Sequence, residues 1–157
     1  MKLYHGSNVE VKNPSLLYSS KTRDFGAGFY LTSSLEQAEV WAHKKALRLK
    51  NGKPYISIFT FDENSNLKIK YFSTPSEEWF DYVVKNRKNI IDEKENYDVV
   101  IGPIANDITF EILNLYMRGI LTKEQAIIQL KTFKLKDQYT FKTEKSLKNL
   151  KYEGVLK

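Results

Sequence analysis

Cysteine is missing from all 157 residues, and histidine occurs only twice. Without cysteine there is no disulfide, no thiolate nucleophile and no cysteine-based zinc site. Two histidines leave too few donors for a tight transition-metal centre, so no metal is expected. Long apolar runs are lacking too. The chain opens MKLYHGSN with no apolar core behind Lys2, so neither a signal peptide nor a membrane span is expected, and a cytoplasmic location is the default expectation. Neither a repeat nor a Pro/Gly/Ser-rich linker divides the sequence, and one domain over 1–157 is expected.

What is present is enough for a packed core. The chain is 41% hydrophobic and 13% aromatic, with nine Phe, ten Tyr and two Trp, which offsets its 28% of charged residues and argues against disorder. The net charge of +6 is uneven: from Lys131 onward eight lysines face three acids. That basic end suits a nucleic acid, an acidic partner or simply water.

Local patterns give an order of elements. Leu3 to His5 reads as a short strand, and Phe29 to Thr32 as another after a polar loop. Ser33 or Ser34 then caps a helix running to about Leu49, with Ala38, Trp41, Ala42 and the stem of Lys45 on its inward stripe. Tyr55 to Phe61 is a strand, joined by a DENSN turn to a second over Leu67 to Tyr71, as a hairpin or a corner. Thr74-Pro75-Ser76-Glu77 opens a helix with Pro at its first position and Glu77 completing the cap. Tyr97 to Pro103 has the unbroken apolar run of a buried central strand. Two helical stretches follow, Asp107 to Arg118 and Thr122 to Phe133, then a strand over Gln138 to Thr143, a short helix at Glu144 to Leu150, and a last strand over Tyr152 to Leu156. The class is α+β with a mainly antiparallel core and a late helical insertion. The FGAGFY segment puts two glycines before a strand, unlike a dinucleotide fingerprint, which needs three between strand and helix.

LYHGS and FGAGFYLTSSLEQAEVWA resemble the N-terminal motifs of ADP-ribosyltransferases of the diphtheria-toxin and poly(ADP-ribose) polymerase type. The matching positions are His5-Gly6, Gly26-Ala27-Gly28-Phe29-Tyr30 and Trp41. A closer likeness is to a bacterial family of that clan, carried by Leu3 to Ser7, Asp24 to Thr32, Gln37 to Ala42 and Gln138 to Lys145. Many of its members are encoded beside a small antitoxin-like protein.

The resemblance implies split, mainly antiparallel sheets with flanking helices, and NAD as co-substrate. It also implies transfer of ADP-ribose to a macromolecular acceptor, protein or nucleic acid, and a toxin role with a cognate antitoxin. His5, Tyr30 and Gln138 are the implied catalytic positions. His5, Gly6, Ser7, Gly28, Tyr30 and Trp41 are the implied NAD-binding ones. Gly6 would pair its main chain with the nicotinamide amide, His5 would donate to the adenosine-side ribose, and Tyr30 and Trp41 would flank the ring.

Each residue also has a plain structural reading: a His-Gly turn at a strand end, a core Trp41, and glycines serving a tight turn. One departure from the pattern stands out. The polymerase-type enzymes have a glutamate where this chain has Gln138, which carries no charge and cannot act as a base. The acceptor then supplies its own anion, or Asp137 or Asp107 helps, though both also read as cap or loop residues. On that reading Gln138→Glu restores the anion. Two alternatives remain: an RNA 2′-phosphotransferase that uses NAD as phosphate acceptor, and a non-catalytic module on the same fold that binds NAD, RNA or protein.

Overall fold

A computed structural model describes residues 1–157 except Tyr18, Asn64, Ser65, Ile91, Glu93 and Asn106, with the backbone alone at Asp107 and Ile108. The described elements run β1 (Lys2–Ser7), β2 (Phe29–Leu31), α1 (Leu35–Leu49), β3 (Tyr55–Phe61), β4 (Ile69–Tyr71) and α2 (Glu77–Arg87). They continue with β5 (Val99–Pro103), α3 (Asp107–Met117), α4 (Lys123–Leu130), β6 (Asp137–Phe141), α5 (Glu144–Leu147) and β7 (Leu150–Leu156). The class is α+β.

The strands form two sheets, in the orders β1-β3-β7 and β2-β6-β5-β4. All pairings are antiparallel except β4 with β5. A bridge between Tyr4 and Thr32 links the sheets, each residue giving its N–H to the other's carbonyl at 2.8 and 2.9 Å. Beyond that bridge β1 and β2 part.

Alternation along the strands sorts side chains into layers. Leu3, Phe29, Phe59, Val99, Ile101 and Phe141 fill the space between the sheets. Val100, one residue out of phase with Val99, joins Trp79, Phe80, Leu113 and Leu130 in a second core under α2, α3 and α4. On the far side, Tyr4 and Ile56 meet Ala38 and Ala42 of α1. β5 is buried along its whole length because it is internal to its sheet and covered on both faces.

Several local expectations change. The segments at 55–61 and 69–71 are no hairpin: β3 and β4 lie in different sheets, so the chain turns a corner between them, and part of the DENSN turn falls outside the described residues. The α2 cap is Ser76, whose side chain accepts from the Trp79 N–H, so Pro75 stands before the cap rather than inside the helix. Ser34 caps α1 through Gln37, and Thr122 with Gln125 closes the expected box on α4. α3 and α4 form the inserted helical hairpin between β5 and β6.

Candidate functional site

Where β1 and β2 separate, a cavity of about 770 Å³ opens, within the range of small-molecule sites. His5, Gly6, Ser7, Gly28, Tyr30, Trp41 and Gln138 all line it. Residues 133 positions apart in sequence at their extremes thus share one wall system, brought together by the split between the sheets.

β1 contributes through its main chain. Tyr4 turns both its N–H and C=O toward Thr32, and antiparallel alternation turns those of Gly6 the same way, past the end of the bridge and into the cleft. The missing side chain at Gly6 has a different cause from the one its motif suggests. A Cβ there would lie 2.1 Å from the Ala38 carbonyl oxygen, so glycine is what lets α1 lie against β1. Gly28 is likewise tied to packing, with a Cβ placed 2.5 Å from Thr140 Cγ2 on β6, while Gly26 at φ 77° makes the left-handed turn before it.

His5 stacks on Phe29, ring centroids 4.2 Å apart, and its Nδ1 lies 2.7 Å from the Tyr30 carbonyl. A carbonyl only accepts, so Nδ1 carries the proton. Burial, with smaller contributions from Lys45 and Arg23, lowers the imidazole from 6.5 to about 4. The ring is therefore neutral near pH 7, and its Nε2 is an acceptor. His5 thus offers an acceptor where the resemblance implied a donor.

Tyr30 is largely a core residue. Its hydroxyl donates to the Gly26 carbonyl at 2.6 Å and accepts from the Phe25 N–H at 3.0 Å, and burial pushes its pKa well up. What it offers the cavity is a ring face, over which the Arg23 guanidinium sits 5.3 Å from the centroid. Trp41 is half-buried and belongs to none of the three core clusters, whereas Trp79 is fully buried with Nε1 donating to the Pro103 carbonyl at 2.9 Å. Trp41 heads a stripe on α1, continued by Lys44, Lys45 and Arg48, that faces the cavity at helical spacing. Ser7 is buried, its hydroxyl 3.4 Å from Asn8 Oδ1.

The acid expected near Gln138 is elsewhere. Asp137 accepts from Thr32 Oγ1 at 3.2 Å, from the Ser33 N–H at 2.9 Å and from Ser33 Oγ, locking the end of β2 to β6, and it does not line the cavity. The Asp107 side chain lies outside the described residues. The carboxylate at the site is Asp24. It ion-pairs with Arg87, and its Oδ2 accepts from Gln138 Nε2 and from the Ala105 N–H, both at 3.1 Å. Gln138 Nε2 also lies 3.4 Å from the Pro103 carbonyl.

Sequence reasoning placed Asp24 within a motif and gave it no role. The signal for it was a charge beside a glycine-rich turn; its partners, from α2, the exit of β5 and β6, have no local signature.

Charge completes the picture. Arg23, Lys44, Lys45, Arg48 and Arg87 line the cavity against the one acid, Asp24, among the described residues. Arg87 is compensated by that acid; Arg23, Lys45 and Arg48 make no ion pair among the described residues. Burial, then Arg23 and Arg48, lower the Lys45 ammonium. Such a wall takes an anion, and guanidinium and ammonium groups together suit phosphate oxygens.

The chain belongs to the DUF3990 family, described as proteins of unknown function, whose model matches residues 1–152. No curated protein matches it. Among the described residues, no helix is long and apolar enough to cross a membrane.

Proposed function

We propose, from the motif resemblance and from the cavity at the split, that the chain is an NAD-dependent ADP-ribosyltransferase with an ADP-ribosyltransferase-like fold. It would act on a macromolecular acceptor and pair with an antitoxin. The observation that carries the reading is the composition of one cavity: an outward-turned glycine main chain, two aromatic faces, a neutral imidazole and a cationic wall with a single acid. These match, in order, a carboxamide, a pyridinium ring, a ribose hydroxyl and a diphosphate.

Gly6 pairs its N–H and C=O with the planar amide. Trp41 supplies one stacking face and Tyr30 the other, once Arg23 moves from above the tyrosine toward the phosphates. His5 accepts from a ribose hydroxyl and fixes the sugar. Lys45 and Arg48 hold the diphosphate. NAD supplies the leaving group: its glycosidic bond breaks with the electron pair passing to the ring nitrogen, and the acceptor joins the ribose carbon while losing its own proton. Gln138 reaches the ribose as a neutral hydrogen-bonding group, so the site lacks a base at that position.

Incubation with NAD labelled in its phosphates and with cell extract tests this. The expected result is release of nicotinamide with label fixed to material that nuclease or protease, applied separately, destroys. NAD should also quench fluorescence through Trp41, and Trp41→Ala should remove most of that quench. A non-catalytic reading is favoured by one observation, the amide in place of a carboxylate at 138. It predicts the quench without any nicotinamide release.

A further inference from the structure

Gln138 has one amide group with two hydrogens, and both have takers: Asp24 Oδ2 at 3.1 Å and the Pro103 carbonyl at 3.4 Å. Both takers are acceptors only. The amide is therefore fixed in one orientation, with Oε1 as the atom left for a ligand. The carboxylate that fixes it is buried and is held in turn by Arg87 and the Ala105 N–H. A hydrogen bond from an amide N–H to a carboxylate draws electron density toward the amide oxygen, so Oε1 gains negative character from a charge it does not carry.

We propose that Asp24 is a positioning residue for the reaction, acting through Gln138. Together the two residues do in two side chains what one carboxylate would do alone. Asp24 supplies the negative charge and holds the amide acceptor-outward; Gln138 Oε1 accepts from a ribose hydroxyl beside the carbon on which positive charge develops. The inference rests on the transferase reading for its chemistry, while the fixed amide stands on the geometry alone. It also changes what Gln138→Glu should do. A glutamate there would put two carboxylate oxygens about as close as Asp24 and Gln138 now are, so the pair would hold a proton between them and gain no anion.

The test has two parts. In the first, NAD hydrolysis is compared for the wild type, Asp24→Asn, Gln138→Glu and the Asp24→Asn/Gln138→Glu double variant. Asp24→Asn keeps the shape and removes the charge. Its kcat should fall at least tenfold with KM for NAD within about twofold, since the lost interaction matters most in the transition state. Gln138→Glu alone should not exceed the wild type. The double variant returns the charge one residue over and should recover most of the lost kcat, which no purely structural role for Asp24 predicts. An Asp24→Asn enzyme with wild-type kcat, or a double variant no better than Asp24→Asn, overturns the proposal.

In the second part, side-chain amide resonances are recorded by NMR on glutamine-labelled wild type. Bonding to a carboxylate should set the Gln138 pair apart, downfield and slow to exchange, from those of Gln37, Gln125 and Gln129. This reading needs no variant to fold and no activity. If the wild type releases no nicotinamide, the transferase reading fails. A Gln138 pair that looks like the other three overturns the Asp24 proposal in any case.

Discussion

Asp24, Arg87 and Gln138 form one polar cluster of the cavity; Arg23, Lys45 and Arg48, toward α1, form another, and the two are built to opposite rules. In the first, charge meets countercharge: the carboxylate has a guanidinium, an amide and a main-chain N–H, and Arg87 lies over Phe110 at 4.3 Å. In the second, like charges gather, burial and then the two arginines lower the Lys45 ammonium, and none of the three makes an ion pair among the described residues. A compensated buried cluster is part of the fold, because removing one member strands another away from water. An uncompensated cluster at a cavity wall costs stability through self-repulsion, and an anionic ligand relieves it.

The two clusters differ most at Arg87 and Arg48. Arg87→Ala leaves Asp24 buried without its cation and should cost about 3–5 kcal/mol, read as a denaturation midpoint. Arg48→Gln, by contrast, should change stability by no more than about 0.5 kcal/mol. Equal costs for the two would erase the distinction.

The unfolded chain binds a proton at His5 below pH 6.5, whereas the folded chain, with the ring held to about 4, resists it. His5 therefore contributes stability in full above pH 6.5, and that contribution is lost as pH falls toward 4. It amounts to about 3 kcal/mol at most. Stability measured against pH should fall less steeply across this window in His5→Gln than in the wild type. Activity should show no His5 ionisation between pH 6 and 8.

Gly6→Ala drives a methyl group against the α1 backbone and should cost about 1–3 kcal/mol in melting experiments, with loss of NAD binding as α1 and its cations are displaced. The smallest effect falls on the second cluster. Arg48→Gln should weaken ADP binding about fivefold, ~1 kcal/mol, and the difference should shrink as salt rises. A salt-independent loss would mean that Arg48 acts by packing.

Much of the fold is readable without coordinates. Ser34, Thr122 and the Tyr97 to Pro103 run announce their elements because a cap or an apolar run acts within a few residues of itself. The corner after Phe61 is less so, since it depends on which sheet the next strand joins. For the site, the motif resemblance named seven residues that line one cavity, yet it could assign neither the polarity of His5 nor the partner of Gln138. A tautomer is set by which carbonyl lies opposite the ring, and here that carbonyl is 25 residues away.

By itself, the sequence determined most of the elements, the α+β class and the cationic excess, because these follow from residue type and short-range spacing. The tertiary structure alone decided that Gly6 serves a helix as well as a cleft, that Asp137 is spent on Ser33, and that Asp24 stands against Gln138 across 114 positions. Those facts depend on how two sheets joined at a bridge diverge, and a geometry that arises only when all the strands pair leaves no mark on any local stretch of chain.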